Sequence, residues 1–88
     1  MILVDRIRTY LHARHVNKEW CHMVSDLSLD ELHEMAEAIG LPGLAFQGDH
    51  YDLTPQRRAL AVARGAVEVT SRELVTRMIP PRLGRLKR

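Results

Sequence analysis

The apolar positions change period several times along the chain. Ile2, Leu3 and Val4 form an unbroken apolar run closed by Asp5, the pattern of a short strand buried on both faces. Residues 6 to 19 hold no clean period and carry His12, Arg14, His15, Asn17 and Lys18, which predicts a long connection or an irregular helix. Trp20 to Val24 reads as a second strand, with Ser25 and Asp26 just past its end. From residue 28 the period becomes helical. Leu29, Leu32, Met35, Ala36 and Ile39 share one face, and Asp30, Glu31, Glu34 and Glu37 lie opposite. Ser28 and Glu31 have the form of a capping box at its start, and Gly40 with Pro42 ends the helix. At about 100° per residue, His33 falls on the border of the apolar stripe beside Leu29.

Residues 43–48 read as a loop, and His50-Tyr51-Asp52-Leu53 as a short strand or an ordered turn. Thr54-Pro55 then opens a second helix, because threonine caps well and proline suits the first helical position; Gly65 closes it. Ala66 to Val69 is a further strand. Thr70 and Glu73 form a second capping box, and Leu74, Val75 and Met78 are the inner face of a last helix before Pro80-Pro81. Strands alternating with helices imply right-handed crossovers. The predicted fold is a small α/β domain of two or three layers, with a mainly parallel sheet of three or four strands and about three helices. It spans residues 1–79 and is followed by a basic tail, residues 80–88.

Composition narrows the class. Eighty-eight residues, 45% apolar and 27% charged, suit one globular domain. No apolar stretch approaches the roughly 18 residues of a membrane span, and Asp5, Arg6 and Arg8 interrupt the apolar start at once, against a signal-peptide core. A soluble, cytoplasmic protein is expected, without a membrane partner. The single cysteine, Cys21, reads as a small buried apolar residue. The net charge of +2 conceals an asymmetry, because five Lys and Arg and no acid fall in residues 77–88. A basic arm of this kind is drawn to phosphate by salt-sensitive attraction, although a frayed, solvated terminus has the same composition.

In a parallel sheet, ligands bind outside the carboxyl ends of the strands. That edge would gather Asp5, Ser25, Asp26, Asp52, Thr54 and residues 70–72. His22, Asp26, His33, His50 and Asp52 are metal-ligand types, although their spacing matches no compact metal signature. His22, Asp26, His50 and Asp52 are the metal candidates, and hydrogen-bonded interior histidines with capping aspartates are the alternative. Asp5 and Asp26 would pair on a magnesium ion if the first two strands are neighbours, with Asp52 or Asp49 as a further acid. Arg57, Arg58 and Arg72 lie in first turns of helices, where amides already favour anions, and salt bridging is their ordinary use. No Walker loop, GxGxxG run or nucleophile elbow is present. Trp20, Phe46, Tyr10 and Tyr51 are not interleaved with basic residues as a base-stacking surface requires; Trp20 and Phe46 read as core and Tyr51 as a lining residue.

The run from Trp20 to Asp26, the segment from Ser28 to His33, the block His50-Tyr51-Asp52-Leu53 and the stretch from Gly65 to Leu74 together resemble the bacterial and phage "domain of unknown function 4031". The resemblance covers nearly the whole chain, and residues 6–19 depart from it most. It implies His22, Asp26, His33, His50, Tyr51, Asp52 and Arg72 as site candidates but carries no established activity. Some members hold this domain ahead of an HD-type phosphohydrolase domain, whose activity does not transfer to this chain.

Three functional readings follow. The first is an accessory domain that binds a phosphate-bearing ligand, nucleotide or nucleic acid, through Arg57, Arg72 and the His/Asp edge. The second is a metal-dependent phosphoesterase or nuclease-like centre using a divalent metal at Asp5, Asp26, His22, His50 and Asp52. The third is a module that docks on a protein partner or forms a homodimer.

Overall fold

A computed structural model of the chain describes residues 1–9 and 19–79. The segment 10–18 and the basic tail 80–88, with the histidines and arginines named there, lie outside those residues. In chain order the elements are β1 (Ile2–Val4), β2 (Arg8–Thr9), β3 (Glu19–Ser25), α1 (Leu29–Ala38), β4 (Tyr51–Leu53), α2 (Pro55–Ala63), β5 (Val67–Glu68) and α3 (Ser71–Arg77). A short 3-10 turn, Gly43–Ala45, lies between α1 and β4.

The long strand β3 organises the sheet. Both β1 and β2 pair with it antiparallel, Val4 opposite Met23 and Arg8 opposite Trp20, while β4 pairs antiparallel with Asp52 opposite His22. Only β5 is parallel to its neighbour, β1. The five-stranded sheet is therefore mixed, not mainly parallel. Two connections account for the difference. Residues 6–19, expected as a long connection or an irregular helix, instead include β2 and the start of β3, and both β1 and β2 run antiparallel to β3. The chain leaves β3 through α1, about 15 Å long, and residues 41–50 return it to the end that it left. β4 consequently enters beside Met23 and runs back toward Cys21.

Strand alternation divides the sheet into two faces. Ile2, Val4, Cys21, Met23, Tyr51 and Leu53 pack with Leu32 and Ala36 of α1 and Ala61 of α2. Leu3 and Val24 face the other way, against Leu74 of α3 and Met78 just past its end. The domain thus has three layers, and α3 is the single helix that covers the second face among the described residues. Cys21 is fully buried, and burial pushes its thiol pKa up to about 12, as expected of an unreactive apolar cysteine.

The predicted helix starts are in place, with one change. Ser28, Thr54 and Thr70 each accept a backbone amide at their helix N-termini. The reciprocal half of the two capping boxes is not what holds the glutamates. The Glu31 carboxylate takes hydrogen bonds from the Ser25 hydroxyl and the Met1 amine, and Glu73 takes one from Arg77. Gly40 closes α1 with φ +86°, a left-handed conformation that glycine adopts without strain.

Candidate metal centre

Between β1 and β2 the chain carries one residue too many. Residues 5–7 stand opposite only Cys21 and His22, so the chain bulges there. The bulge turns Asp5 across the strand toward its partner. The Asp5 side chain is 1% exposed, and its two oxygens accept three hydrogen bonds. The His22 amide donates to Oδ1 at 2.7 Å, while His22 Nδ1 and the Ser71 hydroxyl each donate to Oδ2 at 2.9 Å. Burial alone raises the Asp5 pKa, but the hydrogen bonds from His22 and Ser71 outweigh it and hold the carboxyl below its ordinary value. An ionised carboxylate has no proton to give, so Nδ1 of His22 carries one, and Nε2 is the nitrogen left to ligate.

His50 repeats the arrangement on the neighbouring strand. Its Nδ1 donates to Asp49, the residue immediately before it. Its Nε2 lies 3.3 Å from Oδ1 of Asp52, the residue that pairs with His22 across the strands. The two imidazole rings are 5.3 Å apart, edge to face. Asp52 Oδ2 accepts from Gln47 at 2.7 Å. Its other oxygen, Oδ1, is buried without a hydrogen bond, the His50 contact being long and poorly aligned.

This pairing has an electrostatic consequence. With Nδ1 committed to Asp49, a neutral His50 turns its Nε2 lone pair toward an anionic oxygen, which is repulsive unless a positive species stands between. A proton is one such species. The His50 pKa is raised, first by Asp52 and then by Asp49, against the lowering effect of burial. A metal ion is the other. Two ligands at the usual 2.0–2.2 Å from a tetrahedral zinc are about 3.3 Å apart, which matches the His50–Asp52 separation. Ligand atoms from His22, His50 and Asp52 lie within 4.8 Å of one another. The Asp5–His22 and Asp49–His50 pairs have the form of the carboxylate–histidine units that orient metal-binding imidazoles.

His22 and His50 open on a cavity of about 80 Å³ between the sheet and α3, whose walls also include Asp5, Ser71, Leu74 and Met78. A water occupies ~30 Å³, so an ion and its water fit.

Several expected residues lie elsewhere. Because β1 and β3 are antiparallel, Ser25 pairs with Ile2 and Asp26 stands at the opposite end of the sheet from Asp5. Asp26 there binds the Met1 amine at 2.9 Å and Arg77 at 2.6 Å. The Asp5–Asp26 magnesium pair is thus excluded, and Asp26 is no ligand to the cluster. His33 and Tyr51 lie on the far side of the sheet, where His33 Nδ1 and the Tyr51 hydroxyl are 2.8 Å apart beside Phe46. Tyr51 is core rather than a lining residue, and burial raises its pKa. Arg57 donates to the Gly40 carbonyl, and Arg72 is exposed and lines no part of this cavity. The expected edge of the sheet therefore does not exist as one row. His22, His50 and Asp52 come together, and Asp5, Asp49 and Ser71 support them.

Ser71 falls within the stretch 70–72 expected at the edge, whereas nothing in the spacing singles out Arg8, which only the fold brings to Ser71. Asp49 was the more legible of the supports, since an acid adjacent to a histidine is a short-range pair.

The fold and this cluster define a class, a small mixed α/β domain with two carboxylate-held histidines and an aspartate on one face. The chain belongs to the family described as Protein of unknown function (DUF4031), whose model matches residues 2–80. No curated protein and no solved structure matches it significantly. Among the described residues, no helix is long and apolar enough to cross a membrane.

Proposed function

We propose that the domain binds one divalent transition-metal ion at His22, His50 and Asp52 and uses it for metal-assisted hydrolysis. The observation that carries this reading is the unbonded Asp52 Oδ1 facing His50 Nε2, with both histidines fixed at Nδ1 by carboxylates. Two imidazoles and one carboxylate favour zinc, cobalt, iron or manganese over magnesium, which prefers oxygen. Three protein ligands leave a coordination position for water, as catalytic sites do, whereas structural zinc sites are closed by four. A bound ion would lower the pKa of that water toward about 7, so that hydroxide would be available as nucleophile. His22, His50 and Asp52 would hold the ion, and Asp5 and Asp49 would keep the histidines in the ligating tautomer.

The test is metal binding itself. Protein purified without chelator is expected to retain about one equivalent of zinc or another transition ion. The stripped protein should be stabilised on reloading, by about 2.7 kcal/mol at a free ion concentration of 100 Kd. His50→Ala and Asp52→Asn should each abolish retention and the thermal shift. Failure of zinc, cobalt and manganese alike to bind or to shift the unfolding temperature would remove the proposal.

A further inference from the structure

We infer that the cleft beside the metal centre is a phosphate-ester subsite, in which Arg8 and Arg58 hold the phosphoryl oxygens. This names the substrate class of the site proposed above and rests on that reading for the chemistry, although not for the binding. The cleft has a volume of about 740 Å³ and is lined by Arg6, Arg8, Arg58, Thr70, Ser71 and Glu68, among others. Its size lies in the ~300–1,000 Å³ range of small-molecule sites.

The bulge after β1 creates this cleft as well as the Asp5 contact. Residues 5–7 displace the edge, and Arg8 reaches the Ser71 hydroxyl at 3.3 Å. Arg58 comes from α2 and is fixed by a 2.8 Å hydrogen bond from Nε to the Asp5 carbonyl. Its side chain is 19% exposed, so the guanidinium fork is held largely by protein rather than by water. Ser71 joins the two sites, because its hydroxyl donates to Asp5, the support of His22. Both cavities have Ser71 in their walls.

The charges favour an oxyanion. Arg58 already holds one, the Glu68 carboxylate, at 3.0 Å. Glu68 is 60% exposed, and such a pair costs little to exchange for a better anion. The other acid in the wall, Glu73, is engaged by Arg77 at 2.8 Å. Three guanidiniums therefore face one carboxylate that can move aside. Forked guanidiniums match phosphoryl oxygens, and the hydroxyl of Thr70, which accepts the Glu73 amide, has its own proton to donate. Among the described residues the wall contains no aromatic ring, and its donors suit the phosphoryl group.

Isothermal titration of adenosine 5′-monophosphate, into both metal-stripped and zinc-loaded protein, tests the subsite. The stripped protein is expected to bind it with an affinity that falls as salt rises, and zinc should tighten binding. Arg8→Ala, a change at an exposed side chain, should weaken binding about tenfold while leaving zinc affinity unchanged, and Glu68→Gln should strengthen it severalfold. A single-stranded oligonucleotide as competitor tells whether the phosphoryl group is internal or terminal, and either result supports the subsite. If zinc binds but the monophosphate does not, or binds equally to wild type, Arg8→Ala and Glu68→Gln, the subsite is wrong and the metal centre stands. If the monophosphate binds as expected and no metal does, the centre is wrong and the subsite stands.

Discussion

Asp5 shows how much one side chain can determine here. It is buried beside the His22 amide, the His22 imidazole and the Ser71 hydroxyl, and all three donate to it. Asp5→Ala strands those donors, and leaving buried donors of a charged acceptor unpaired costs about 3 kcal/mol; denaturant unfolding measures the loss. Asp5→Asn keeps the shape but can present an amide N–H to Nδ1, which shifts the His22 proton to Nε2. Zinc affinity in that variant is expected to fall roughly 10–100-fold, while stability changes less than in Asp5→Ala. The sequence marked Asp5 as an acid after a strand, but paired it with the wrong residue. Asp26 has the same type and the same position after a strand, and only the antiparallel register separates the two. His33 makes the same point from the other side. Its helical angle located it on the packing seam, where it meets Tyr51 and Phe46, and its chemical type alone had suggested a ligand.

At the scale of elements, the helices were the legible part. Their caps, apolar stripes and glycine ends are short-range signals, and α1, α2 and α3 begin where Ser28, Thr54 and Thr70 mark them. α3 matters most for the site because it brings Ser71 to Asp5 and closes the cavity with Leu74 and Met78. Thr70→Ala removes the acceptor of the Glu73 amide and should cost about 1 kcal/mol, read by thermal or denaturant unfolding. Because α3 covers that face, the same variant should show faster hydrogen exchange in residues 71–77 than in α1. The bulge was not legible. An extra residue between β1 and β2 leaves no local mark in residues 5–7, since it is defined by the two residues that it faces. Asp5 keeps the alternation of β1, facing α3 as Leu3 does, and takes the His22 amide across the strand.

For the whole molecule, the end of the sheet away from the His22–His50–Asp52 cluster is tied by charge. The Met1 amine binds Asp26 and Glu31, and Arg77 binds Asp26. Hydrogen bonds from Met1 and then Arg77 hold the Asp26 pKa below its ordinary value, and Met1 and Ser25 do so for Glu31. For groups with lowered folded values, the stabilisation is present above the unfolded carboxylate pKa, about 4, and is lost as pH falls through the folded value. The Met1 amine has the opposite sign: its pKa is raised, and its contribution is lost as pH rises through that value. Unfolding measured across pH should therefore show an acid limb that is shallower in Asp26→Asn than in the wild type. The sequence by itself determined the α/β class, the three helices with their caps, the buried cysteine and the family, because these rest on periods and pairings within a few residues. It also named His22, His50 and Asp52, by chemical type. Only the tertiary structure decided that these three meet, that Asp26 and His33 do not join them, and that Arg8 and Arg58 rather than Arg57 and Arg72 stand beside them. Strand direction and register join residues tens of positions apart, and a mixed sheet in place of a parallel one exchanges the ends at which those residues meet.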